Sequence, residues 1–224
     1  MAGQQVAAPT ARTKIRRHPE RGTYDRETVR SILDEGLICH LGFVVDGTPF
    51  VMPTMYARSG EVVYVHGSPA SRMLRAAAGP ADVCLTVTLL DGIVLARAVF
   101  SHSMNYRSVV VLGRAEEVDD PAEKMRASEA LIEHVCRGRW AHARHPNPKE
   151  LATTAILRLS LDEASAKVRS GRPKDSEADL DLPVWAGHVP LAVRPLAPIP
   201  DEGLAGAEAP PPYATGYTRP GWTD

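Results

Sequence analysis

The chain has 224 residues, with 26 Lys and Arg against 27 Asp and Glu, for a formal net charge of −1. That length suffices for one substantial domain whose core stands without staples, and the charge balance requires neither nucleic acid nor an anionic membrane as partner. No apolar run nears the roughly 18 residues of a membrane span, and "MAGQQVAAPTARTKIRR" lacks the apolar centre of a secretion signal, so a cytoplasmic protein is expected.

Residues 1–17 are small, polar and basic, the composition of a mobile arm, and precede a domain spanning 18–193. "TYDRETVRSILDEG" predicts a short amphipathic helix capped by Asp25 or Thr23, with Val29, Ile32 and Leu33 on its apolar face and Gly36 closing it in the left-handed region. From Leu37 the period changes to two. Asp46-Gly47 and Ser59-Gly60 are hairpin signals, and they predict three antiparallel strands at 37–45, 49–57 and 61–66. Ser68 would then cap a helix with Pro69 at its first position. "DVCLTVTLLDGIVLARAVF" predicts a further hairpin about Asp91-Gly92, and "YRSVVVLGRAEEV" a long strand. Asp120 caps a helix begun by Pro121, Asn147 and Glu150 form a near capping box around Pro148, and "AILRLSLDEASAKVR" returns to alternation. Hairpin strands broken by short helices predict a mainly β, α+β chain built as a closed or partly closed antiparallel barrel. Residues 194–224 form a Pro, Ala and Gly-rich tail, read as extended or disordered, with Tyr213, Tyr217 and Trp222 as apolar anchors should it cross the domain surface.

Chemistry gathers in three stretches. "VVYVHGSPASRMLRAA" turns from strand to helix through His66, Ser68, Ser71 and Arg72, where hydroxyls and a guanidinium suit an anion. The same residues also suit a plain capped helix with solvated serines. "SHSMNYRSVVVLGRAEEV" opens a strand with His102, Asn105, Tyr106, Arg107 and Ser108, either a solvated edge or a polar site. In "DLPVWAGHVPL", Trp185 is held among Pro and Gly, either plugging the core or standing over a flat ligand. Lys167, Arg169, Arg172 and Lys174 form a basic cluster, a solvated loop or an attractor for an anionic partner. His40, His66, His102 and His188 admit a haem or metal reading, with His66 the one beside the anion-suited turn. Cys39, Cys84 and Cys136 are odd in number and far apart, so they read as thiols of a reducing cytoplasm, and no metal site is expected. Few aromatics and abundant Val, Ala and Arg point to a high-GC bacterial genome.

Taken in order, the hairpin strands, "VYVHGSPASRMLRAA", "NYRSVVVLGRAEEV" and "PVWAGHVPL" resemble the pyridoxamine 5′-phosphate oxidase-like FMN-binding split-barrel proteins, the branch with the nitroimidazole-resistance flavoproteins, over about residues 12–195. The resemblance implies a six-stranded antiparallel Greek-key split β-barrel and a homodimer with FMN held where two subunits meet. It places the phosphate clamp at His66, Ser68, Ser71 and Arg72, and the flavin ring along the backbone of Pro53, Thr54, Met55 and Tyr56. Tyr106, Arg107 and Ser108 would reach the neighbouring subunit's flavin, and Trp185 would pack beside it. The chain departs from the family's true oxidases at three places. Ser71-Arg72 replaces an adjacent Arg-Lys pair, Ser108 stands for a glutamine, and "AGHVPL" lacks the terminal Arg-x-His. The missing motif argues against pyridoxamine phosphate as substrate. The implied activity is oxidation or reduction of another small organic molecule at the flavin. A flavin carrier or sensor without turnover, and a deazaflavin or haem as ligand, are the alternatives.

Overall fold

A computed structural model describes residues 9–79, 81–203 and 209–222. A 3-10 turn, Pro19–Arg21, leads into β1 (Gly22–Thr23) and α1 (Arg26–Glu35). Three strands follow, β2 (Ile38–Val45), β3 (Thr48–Ser59) and β4 (Val62–Gly67), and then α2 (Arg72–Ala77). Next come β5 (Val83–Leu95), β6 (Ser103–Gly113), β7 (Ala115–Glu117), α3 (Pro121–Val135) and α4 (Pro148–Ala152). The chain continues through β8 (Ala155–Ser160), β9 (Ala164–Arg169), β10 (Gly187–Pro190) and α5 (Pro212–Thr215).

Local signals act where they were read. Asp25 accepts from the Thr28 amide at 2.8 Å to start α1, Asp120 accepts from the Ala122 and Glu123 amides to start α3, and Asn147 and Glu150 complete their capping box. Asp46 and Gly47 both take positive φ (49° and 77°), which joins β2 to β3 in a tight hairpin.

All the strand pairs are antiparallel, in the order β1-β9-β6-β5-β2-β3-β4-β8-β7, with β10 added to β5. The architecture is the expected mainly β split barrel, and its sheet is not closed by hydrogen bonds. Two long strands change partners to make the split. The first part of β3, Thr48 to Met55, pairs with β2, and Tyr56 to Ser59 pair with β4. At the other side β6 pairs with β5 and β9, and its continuation β7 pairs with β8. The core inside joins Val29, Ile32 and Leu33 of α1 to Leu41, Val63, Leu85, Val109, Val111 and Leu157 of the sheet. Cys39 lies in that core, where burial pushes its thiol up to about 12, and all three cysteines are free.

Four local expectations give way to tertiary contacts. Asp91-Gly92 makes no hairpin. It forms a bulge inside the continuous strand β5, where a Cβ on Gly92 would sit 2.9 Å from the Val189 carbonyl of β10. Gly36 has φ −67°, outside the left-handed region, and is needed for closeness instead: a Cβ there would lie 2.6 Å from Val87 and 2.7 Å from the Tyr56 hydroxyl. Ser68 and Pro69 form a turn closed by Ser71 N–H to Ser68 C=O at 2.9 Å, and α2 begins only at Arg72. The last alternating run divides at Leu161–Glu163 into β8 and β9, which serve different parts of the sheet.

The ends of the chain are held where they are described. Arg12 pairs with Asp82 and Glu163, so the part of the expected mobile arm from residue 9 lies on the barrel, and residues 1–8 fall outside the described residues. In the tail, Tyr217 donates to the Val135 carbonyl at 2.7 Å, and Arg219 is buried at the end of α1. Residues 204–208 and 223–224, part of the tail read as extended or disordered, lie outside the described residues. Among the described residues no helix is long and apolar enough to cross a membrane.

Candidate cofactor site

Strand β4 ends in His66 and Gly67, and the turn through Ser71 delivers Arg72 at the start of α2. This turn leaves polar groups without partners. The Ser71 hydroxyl, although at the N-cap position, makes no capping bond, and Arg72 is exposed with no ion pair among the described residues. Arg72 instead lies over the Phe50 ring, 5.2 Å from its centre, and Phe50 stacks on Phe43 at 5.7 Å. Ser68 is already engaged, accepting from the Ala70 amide at 3.2 Å. His66 is half-buried, and its Nδ1 is sealed from solvent with no partner among the described residues. Burial pushes its pKa down, so the imidazole stays neutral near neutral pH.

Beside this turn runs the part of β3 that pairs only with β2. Its other edge is unpaired among the described residues, and Val51, Met52 and Pro53 are exposed, with Thr54 and Met55 half-buried. Tyr56 differs from its neighbours. It is fully buried and donates its hydroxyl to the Leu33 carbonyl at 2.6 Å, so its side chain belongs to the core. Only its backbone, paired with Val65 of β4, borders the turn. Thus His66, Ser71, Arg72 and the β3 edge meet on one side of the molecule, together with Phe50, which the sequence reading did not single out.

The remaining site residues lie elsewhere. Three strands, β5, β2 and β3, separate β6 from β4 in the sheet. On β6, Arg107 is gripped by the Glu35 carboxylate and by Asp91, whose oxygens lie 2.8 and 3.0 Å from it. Both carboxylates favour its charged form, Glu35 the more. The Ser108 hydroxyl donates to the Lys167 carbonyl at 3.4 Å, and Tyr106 is half-buried opposite Arg169 of β9. Trp185 stands 66% exposed just before β10, its ring against Gly187, so it plugs no gap in its own chain's core. One chain therefore holds the β4–α2 turn with the β3 edge as one group, and the β6 residues and Trp185 lie apart from it.

Glu35, Asp91 and Arg219 are further polar residues that the sequence did not reveal. Arg219 donates to the carbonyls of Asp34, Glu35, Gly36 and His134, bridging the ends of α1 and α3. Gly221 (φ 81°) then packs against the Glu35 carboxylate, where any side chain would collide. The only hint in the sequence was aromatic anchors in a Pro-rich tail. A cavity of about 770 Å³ opens under this tail, lined among others by Arg58, His134, Tyr213 and Tyr217.

An open antiparallel split barrel with an unsatisfied strand-to-helix turn defines the class of this protein. The chain belongs to the pyridoxamine 5′-phosphate oxidase family, whose model matches residues 25–168. No curated protein matches it. Among solved structures it is similar to the flavocytochrome Anf3 from Azotobacter vinelandii, at 40% identity over 95% of this chain and 99% of that one, with a TM-score of 0.89. It is similar also to the FAD and haem binding protein from Mycobacterium smegmatis, at 35% identity over 89% and 98% of the two chains, with a TM-score of 0.85. A protein from Bacteroides thetaiotaomicron described as a 5-nitroimidazole antibiotic resistance protein shares the fold, at 22% identity over 66% and 86%, with a TM-score of 0.56. The first two matches run past the end of the family model into the C-terminal region.

Proposed function

We propose that this protein is a redox protein that binds a flavin and a haem, with the flavin's phosphate at the β4–α2 turn. The observation that carries the reading is the set of unpartnered groups there: the Ser71 hydroxyl, the Arg72 guanidinium and the neutral imidazole of His66. A hydroxyl and a free guanidinium fit a phosphate. The neutral imidazole of His66, its Nδ1 sealed, would meet a haem iron through Nε2. The free β3 edge offers backbone N–H and C=O groups to a flat heteroaromatic ring, and Phe50 and Arg72 form an apolar and cationic border to it. When bound, a flavin supplies hydride and single-electron chemistry, and a haem supplies one-electron and oxygen chemistry. The protein's own part is to bind, to orient and to exclude water.

Several findings support this reading. The relatives at 40% and 35% identity are described as a flavocytochrome and as an FAD and haem binding protein. The second favours FAD over the FMN that the resemblance implied. We further propose a homodimer with cofactors between subunits. Ile38, Val44, Val51 and Met52 on β2 and β3, and Val99, Phe100 and Trp185 beyond them, are all 46–98% exposed, an apolar surface that a second copy would cover. Such a dimer would bring Tyr106, Arg107, Ser108 and Trp185 of one protomer toward the turn of its partner. Three free cysteines support a reducing, cytoplasmic setting.

The visible spectrum of the purified protein, with mass analysis of what acid releases, tests the proposal. Flavin bands and a Soret band are expected together. His66→Ala should lose the Soret band and keep the flavin, and bleaching by NADH or NADPH without air would show turnover. Colourless protein that takes up neither added flavin nor haem would overturn the reading.

A further inference from the structure

Two arginines of the described chain are buried, and their surroundings differ. Arg219, 5% exposed, donates to four main-chain carbonyls. Arg169, at the end of β9 and 8% exposed, bonds only through Nη1, to Oδ1 of Asn105. The half-buried arginines elsewhere have carboxylates: Arg21 on Glu20 at 3.7 Å, Arg26 and Arg30 on Glu61, Arg58 on Asp34, Arg97 on Asp175, and Arg107 on Glu35 and Asp91. Arg169 has none within ion-pair distance among the described residues. A buried guanidinium with one neutral acceptor is costly, because desolvation is not offset by an opposite charge.

The neighbourhood adds to that cost. Arg21, in the turn before β1, is close enough that its charge, after burial, is the next force weakening the charged form of Arg169. Asn105 donates its amide to the Gly171 carbonyl at 3.2 Å, which fixes Oδ1 toward Arg169 and so fixes the guanidinium. Tyr106 faces Arg169 across the β6–β9 ladder, and its hydroxyl has no partner among the described residues. The Nε and Nη2 of Arg169 are not among the sealed, unpartnered atoms, which in the described residues are His66 Nδ1 and Arg97 Nε. Its free N–H groups therefore open onto space that solvent reaches. The basic cluster of the sequence is thus divided: Arg172 and Lys174 are exposed, Lys167 donates to the Arg17 carbonyl at 3.0 Å, and Arg169 is turned inward.

We propose that Arg169, oriented by Asn105 and joined by Arg21 and Tyr106, is a receptor for a phosphate or carboxylate group of a small molecule. The Arg169 guanidinium and the Tyr106 phenol supply the directed donors that such a group needs, and Arg21, itself 3.7 Å from Glu20, adds positive charge nearby. The receptor lies on the β6–β9 side of the sheet, apart from the β4–α2 turn, and stands whether or not that turn holds a flavin.

The test is inorganic phosphate titrated into the purified protein at constant ionic strength, read by calorimetry and thermal unfolding, with chloride as control. Phosphate should bind the parent and raise its Tm. R21A, which leaves Arg169 and its strand in place, should be more stable than the parent without phosphate, because a repulsion is gone. It should also need roughly tenfold more phosphate for the same response. R169M should lose the response that remains in an R72A background, where the β4–α2 turn lacks its cation, and R21A carries the test should R169M fail to accumulate. A second arm identifies the source of the acid group. If a co-purifying cofactor places its own acid group here, the parent answers phosphate only after the cofactor is stripped, and R21A purifies with less of it. Equal phosphate response and equal cofactor content in the parent and R21A would overturn the proposal, with the spectrum of the β4–α2 site unaffected.

Discussion

The junction of α1, α3 and the tail contrasts with the β4–α2 turn. At the junction every strong polar group is answered. Arg219 serves four carbonyls, Glu35 and Asp91 share Arg107, and Tyr217 closes on Val135. At the turn, Ser71, Arg72 and His66 go unanswered among the described residues. The difference separates groups that hold the fold from groups the fold leaves without a task among the described residues. Arg107, which the sequence offered as a flavin contact, is saturated by its own chain. Any role it has beside a cofactor must work through a guanidinium already fixed by two carboxylates.

The contrast can be broken most sharply at Arg219. Arg219→Ala strands carbonyls at the ends of two helices and should cost roughly 3 kcal/mol in urea unfolding. A loss below about 1 kcal/mol would mean that the tail merely rests on the surface. Next in size is Gly36→Ala. Its methyl would press on Val87 and the Tyr56 hydroxyl, and overpacking of this kind costs about 1–3 kcal/mol in thermal or urea unfolding.

The junction should also carry a larger acid sensitivity than the turn, where burial pushes His66 in the same direction. Burial, and then the charge of Arg219, push His134 down to about 4, and neutral His134 donates from Nε2 to the Gly36 carbonyl at 2.7 Å. Its folded pKa lies below its unfolded value near 6.5, so the unfolded chain binds the proton first. The contribution is therefore whole above about pH 6.5 and is lost as pH falls toward about 4, by at most about 1.4 kcal/mol per unit. His134→Gln keeps a donor for Gly36 and should flatten that limb of the stability curve. An unchanged slope would assign the acid limb to the carboxylates and His66.

The smallest effect on stability is expected at the turn. Arg72→Ala and Ser71→Ala should change unfolding free energy by less than about 0.5 kcal/mol. Arg72→Ala should nevertheless weaken flavin binding by about one to two decades, and riboflavin, which has no phosphate, should scarcely change. Equal weakening of both ligands would place Arg72 with the structural residues.

Much of this arrangement was legible before folding, because its causes act over a few residues. Asp25, Asp120 and Asn147 capped their helices, Asp46-Gly47 turned its hairpin, and the gathering of His66, Ser71 and Arg72 at a strand-to-helix junction was plain from their order. The Asp91-Gly92 pair shows where such reading stops. Its dipeptide is the same as that of the hairpin at Asp46, but β10 approaches it from nearly 100 residues away and makes it a bulge in a continuous strand. Trp185 likewise read as either core plug or ligand neighbour, and only its position outside the barrel removed the first reading.

Sequence by itself determined the antiparallel β character, the caps and tight turns, and the gathering of Ser71 and Arg72 at the strand-to-helix turn, since φ preferences, hydrogen bonds within a turn and alternation of apolar residues are set by near neighbours. Tertiary structure alone decided which polar groups are satisfied. Arg219 meets the carbonyl of Glu35 across 184 residues of chain, and Arg107 meets its carboxylate across 72. Arg169 sits in an equally charged stretch and meets no carboxylate among the described residues. Partners for a buried charge are chosen by packing in three dimensions, and no local pattern records whether that choice leaves a guanidinium paired or open.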